Sequence, residues 1–246
     1  MLVLLVAASA SGQPPPQESA RVLGAKEHEI ALFQPSRFGL GHDLQLESRL
    51  VLFGLMPNVA LRWRALQRGE WHGALRAQLT YPGLLVRAVS REGAGGLLPP
   101  DTEPIETVMI DLRYLQSYVT EHVDATLGVG VEVAPRGRDA GNQAILDFPW
   151  LYPRFGALHR SAVLRVEASI VGRLPHGFGL GADLTTFALL GEGGGWSVEL
   201  GGVLRHQPTE HFILELGFRV ARSRLPVGDR WHWLPTLDLR FPFDRG

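Results

Sequence analysis

The chain contains no cysteine. That excludes a disulfide framework, a thiol nucleophile and any zinc or iron–sulfur site held by cysteine. Lysine is nearly absent too, with Lys26 its only occurrence, and codon usage in GC-rich DNA accounts for this more simply than chemistry does. Charge of one sign is also missing. The formal net charge is -1, without the basic footprint of a nucleic-acid binder or the acidic block of an interaction tail. The longest apolar run, Leu2 to Ala8, is far below the roughly 18 residues read as a membrane-spanning helix. None of the nine histidines forms an i, i+4 pair in a helical pattern. Neither Gly-x-Ser-x-Gly nor a complete Gly-x-Gly-x-x-Gly occurs, so no hydrolase, metal or cofactor signature is present.

What the sequence does contain is punctuation, with 29 glycines and 17 prolines, as expected of many strands joined by turns. The first ten residues form a short apolar core ending in Ala8-Ser9-Ala10, the small-x-small pattern of a signal-peptidase site, although no Lys or Arg precedes it. A polar stretch with Pro14-Pro15-Pro16 follows. Residues 1–12 are expected to be an export signal, 13–27 a polar spacer, and 28–246 one domain.

That domain alternates with period two, the pattern of strands with two different faces. Over 123–133, Val123, Ala125, Leu127, Val129, Val131 and Val133 share one face, and Asp124, Thr126, Gly128, Gly130 and Glu132 the other. Residues 71–81, 162–170, 212–220 and 231–243 repeat the pattern. Segments of this length exceed the roughly 5–6 residues usual in soluble sheets and suit the roughly 9–11 of a tilted transmembrane strand. Trp71 and Tyr81 lie ten steps apart on one face, as do Trp233 and Phe243. At about 3.3 Å per residue and about 45° tilt that is roughly 23 Å, close to the roughly 25 Å between the aromatic girdles of a membrane barrel.

Eleven strand-like segments emerge, at 28–40, 43–54, 58–66, 70–81, 106–118, 122–134, 160–173, 177–189, 195–206, 210–222 and 230–243. Bacterial single-chain barrels close with an even number. The expectation is therefore an all-β, antiparallel up-and-down transmembrane barrel of about twelve strands, with ten the alternative. The uncounted strand falls within 20–56, most readily around Leu50–Leu55. Short links near 66–70, 118–122, 174–177 and 206–210 alternate with longer ones at 82–106, 134–159, 190–195 and 223–230.

The face opposite the apolar one carries Arg62, Arg64, Arg76, Asp111, Arg113, Asp124, Glu132, Arg165, Glu167, Asp183, Glu199, Arg205, Glu215, Arg219, Asp238 and Arg240. These are expected to line a lumen, either tuning ion selectivity or neutralising one another in a closing network. The interspersed signs favour the network. Inward Gly128, Gly130, Gly179, Gly181, Gly201 and Gly217 are read as making room for bulky arginine neighbours. The aromatic loop 148–154 is open to three readings: a ligand site, a lumen constriction, or a rim anchor.

The last segment, Trp233-Leu-Pro-Thr-Leu-Asp-Leu-Arg-Phe-Pro-Phe243, resembles the closing strand of porin-like bacterial outer-membrane barrels, with Asp244-Arg-Gly246 extending past the usual terminal aromatic. Residues 29–40, 44–47 and 57–63 are similar to the opening of uncharacterised barrels of this size. The resemblance implies an outer-membrane location among lipid and lipopolysaccharide and insertion by barrel-assembly machinery through that strand, and it is silent about activity. With no catalytic motif in the residues, a porin-like or structural role is expected. A lipid-modifying enzyme and a soluble lipocalin-like binder are the alternatives.

Overall fold

The computed structural model describes residues 19–90, 92, 106–135, 152–158, 162–191, 194–225 and 228–244. The proposed export signal, loop residues 93–101 and the first part of the aromatic loop lie outside them. Among the described residues twelve strands form one antiparallel sheet: β1 (Glu27–Ala31), β2 (Ser36–Gly41), β3 (Leu44–Ser48), β4 (Asn58–Arg68), β5 (Trp71–Thr80), β6 (Met109–Val119), β7 (Val123–Val133), β8 (Ala162–Arg173), β9 (Phe178–Leu190), β10 (Gly195–Thr209), β11 (Phe212–Leu225) and β12 (Gly228–Asp244). Each pairs with its neighbours in sequence, and β1 pairs with β12, setting Glu27 opposite Asp244 and Ala31 opposite Arg240. The sheet is a closed barrel. Closure satisfies every strand edge, which a bilayer demands because lipid offers backbone groups no hydrogen-bond partner.

From β4 onward the strands span 10 to 17 residues, long enough to cross a bilayer at a tilt. The outside of the barrel is apolar. Leu127, Leu180 and Trp233 are 65%, 61% and 72% exposed, while Glu199 and Arg240 are completely covered. A lipocalin-like barrel packs its apolar face inward; this one has the opposite polarity, and burying the outer face in lipid removes the cost of leaving it in water.

The strand expected within 20–56 comes from 28–40, which is two strands and not one. Pro35 has no N–H to give a ladder, and Ser36 Oγ accepts a hydrogen bond from the Ala31 amide at 3.0 Å to close the turn. Around Leu50, where the extra strand was expected, a single helical turn, α1 (Leu50–Phe53), follows β3. The links at 190–195 and 223–230 are also shorter than expected, because β10 starts at Gly195, β11 reaches Leu225 and β12 starts at Gly228.

One end of the barrel carries tight turns, where Gly41, His42, Asp43, Gly69, His176 and Gly177 take positive φ. The start of β1 and the end of β12 lie at this turn end. The opposite, loop end carries the links after β3, β5 and β7, the second of which contains α2 (Gly83–Val89).

Candidate functional site: the lumen

The charged residues read from the alternation cover the inner wall, and the structure joins most of them into three chains of ion pairs. In the first, Glu47 holds Arg62 and Arg76 at 2.7 Å each, and Arg76 approaches Asp111 at 3.7 Å. Asp111 also holds Arg113, which reaches Glu167 at 3.5 Å, and Glu167 binds Arg165 at 2.6 Å. In the second, Glu199 takes both Arg154 guanidinium nitrogens at 2.6 Å and Arg219 at 3.3 Å, and Arg219 pairs with Asp183 at 3.1 Å. In the third, Glu29 holds Arg37 at 3.0 Å and Arg240 at 2.5 Å, and Arg240 and Arg205 meet Glu215 at 2.8 and 3.6 Å. Two of the three chains begin and end on arginine.

Four predicted residues stand apart. Asp124 accepts from Ser19 Oγ at 2.9 Å, and Asp238 from the Phe33 amide at 2.8 Å. Arg64 pairs with Asp43 at 3.2 Å on the turn-end rim. Glu132 makes no ion pair among the described residues. The sequence reading missed Glu29, Arg37, Glu47, Arg49 and Arg154. Glu29 on β1, Arg37 on β2 and Glu47 on β3 lie on the buried face of their strands.

Strand register orders the arginines further. Arg62 stands opposite Arg76, Arg76 opposite Arg113, Arg113 opposite Gly130, and Gly130 opposite Arg165. Four guanidinium-bearing residues thus occupy one transverse row across β4, β5, β6 and β8, an arc that the sequence alone did not reveal. Gly130 makes it continuous. A Cβ there would lie 2.5 Å from Arg113 Cγ and 2.7 Å from the Leu112 carbonyl oxygen, and one on Gly128 would lie 2.6 Å from Glu167 Cγ. The two glycines leave the passage through which Arg113 and Glu167 meet across β7. At Gly130 the bulky neighbour is an arginine, as expected, whereas at Gly128 it is Glu167 with Leu115.

Both ends of the lumen receive chain from outside the wall. At the turn end, residues 19–24, which fall in the stretch read as a spacer, run inside the barrel. The Ala20 amide donates to Ser117 Oγ at 2.7 Å and the Leu23 amide to Gln45 Oε1 at 2.9 Å, while Arg62 Nη1 donates to the Ser19 carbonyl. Ser19 and Ala20 are wholly buried, and Ala20 packs on Ala74 and Leu115. At the loop end, a 3-10 segment, Tyr152–Leu158, turns inward. Its Phe155 and Leu158 pack on Val86 and Met109, and its Ala157 on Val163, Phe187 and Leu189. Phe148, Trp150 and the Tyr152 side chain, on which the three readings of the aromatic loop turn, lie outside the described residues.

Between these segments lies a cavity of about 650 Å³. It runs from Arg49 and Arg154 near the loop end to Val171, Gly181 and Val203 near the turn end, along the wall opposite residues 19–24. Outside, Trp71 is exposed and contacts Tyr118 with ring centroids 5.0 Å apart at the turn end, and Phe243 lies at that end on the closing strand. Trp233 is exposed towards the loop end, and Tyr81 follows β5 there as a half-buried residue.

No family model matches the sequence, and no curated protein sequence matches it. Solved structures do. The chain is similar to NanC porin, with TM-score 0.51 and 8% identity over 91% of this chain and 95% of that one. It is similar to an outer-membrane channel from Pseudomonas putida F1, with TM-score 0.54 and 10% identity over 94% and 98%. The likeness is one of fold: a closed antiparallel barrel of the kind outer-membrane channels use.

Proposed function

We propose that the chain is an outer-membrane, porin-like protein with a charged and narrow lumen that admits small solutes at low flux. The observation that carries this reading is the segment 19–24 held by hydrogen bonds within the barrel, with the Tyr152–Leu158 segment entering from the other end. The apolar exterior supports residence in lipid. Trp71, Tyr81, Trp233 and Phe243 then serve as interfacial aromatics, lipopolysaccharide contacts the loop end, and the closing strand β12 is the one presented to assembly machinery. The ion-pair chains hold the wall together, since charges of both signs at short range stabilise each other strongly where water is scarce.

Planar-bilayer recording of the purified full chain tests the reading. Small or absent steady conductance is expected, and a chain starting at Ala25 conducts more. An open, nanosiemens-scale channel in the full chain contradicts the narrow lumen.

A further inference from the structure

We infer that the arginine arc and the cavity beside it form a binding site for a small polyanionic solute, one bearing several carboxylates. The inference rests on the porin-like reading and names the solute class its lumen selects.

Three observations lead there. The first is the wall of the cavity. Eight arginines line it against five carboxylates, and Asp111 and Glu199, which pair with arginines of this wall, bring the acidic groups to seven. One arginine is left in excess. The carboxylates nearby are already engaged: Glu47, Glu167 and Glu199 each hold two guanidiniums.

The second observation is Arg49. It follows β3 and lines the cavity, yet among the described residues its guanidinium has no ion-pair partner, unlike Arg62, Arg76, Arg113, Arg154 and Arg165. Burial first, and then the charges of Arg76, Arg113, Arg154 and Arg165, push its pKa below the usual arginine range. A cation in such surroundings is stabilised by an arriving anion, and bidentate guanidinium–carboxylate pairing is the strongest form that contact takes.

The third is preorganisation. The guanidiniums of Arg154 and Arg165 lie over the Phe187 ring at 5.3 and 5.4 Å from its centroid, a cation–π contact that fixes them without using their donors. Groups fixed before the ligand arrives lose less freedom on binding. The cavity, at about 650 Å³, is the size of a small-molecule site. A polycation would meet the arc's repulsion, and a neutral solute would leave Arg49 uncompensated.

The test is isothermal titration of the full-length protein, extracted in detergent and first verified as folded by heat-modifiable gel migration. Citrate is the probe and spermidine the oppositely charged control. Saturable citrate binding that weakens as salt is raised is expected, with no spermidine binding of similar strength. Arg49→Ala lowers citrate affinity by about tenfold, equivalent to roughly 1.4 kcal/mol, and Arg49→Glu abolishes it. Because Arg49 has no ion-pair partner among the described residues, neither change takes a partner from a carboxylate there. The inference is overturned if folded protein binds no citrate, if spermidine binds at least as tightly, or if both variants bind citrate like the parent. Should neither variant fold, the citrate–spermidine comparison on the parent chain decides the matter. Titration needs no conductance, so a failure here is separate from a failure of the narrow-lumen reading, which bilayer recording alone decides.

Discussion

Glu47 is fully covered and compensates Arg62 and Arg76 together at 2.7 Å. Glu47→Gln keeps the shape and removes the charge, leaving two buried guanidiniums to share what remains. Breaking a buried pair from one side costs about 3–5 kcal/mol, so the folded band in heat-modifiable electrophoresis should be lost at a distinctly lower temperature. The glycines of β7 give a second residue-scale expectation, and its sense depends on what the added methyl meets. At Gly130 one obstacle is the Leu112 carbonyl oxygen, 2.7 Å away and fixed in the ladder. At Gly128 the nearest atoms belong to the Glu167 and Leu115 side chains, which can turn aside. Gly130→Ala should cost about 1–3 kcal/mol as an overpacked site, and Gly128→Ala less, by urea unfolding of the two variants side by side. Equal losses would contradict the assigned difference between backbone and side-chain obstacles.

Among the elements, the segment 19–24 is the one on which the proposed narrow lumen rests, and the missing cysteines make it easy to probe. Ala20 is wholly buried against Ala74 and Leu115. An Ala20→Cys chain would have a single thiol, which should resist a bulky maleimide in the folded barrel and react once the barrel is unfolded. Rapid labelling of folded protein would mean that the segment lies outside. This element was invisible in the sequence for a physical reason: three of its contacts are backbone amides and a carbonyl meeting Gln45, Arg62 and Ser117, and such contacts impose no side-chain period. The strands were legible because an apolar outer face and a charged inner one enforce period two. That rule failed only where a strand was too short to display it, at β1 and β2, and where Leu50–Phe53 supplied an apolar run without alternation. The charges of the lumen were likewise readable one strand at a time. Their assembly into an arc was not, because register between strands decides which arginines share a row.

For the molecule as a whole, the two faces of the barrel should respond oppositely to charge. Val129, 55% exposed near the middle of β7, stands on the outer face. In a bilayer, Val129→Arg should cost about 2–4 kcal/mol, the penalty for arginine at the midplane of a membrane barrel. Equilibrium unfolding from lipid vesicles would measure it, and a negligible cost would argue against lipid contact there. The buried segment near the N-terminus also bears on the order in which the barrel is made. Its hydrogen bonds reach Gln45 on β3, Ser117 on β6 and Asp124 on β7, the farthest 105 residues along the chain. The seam that shuts the barrel joins Glu29 and Arg240, 211 residues apart. Contacts that close smaller loops are cheaper to form first. Loop-closure entropy by itself thus favours the early strands gathering around residues 19–24 before the seam shuts, which would leave the lumen occupied before it exists as a hole.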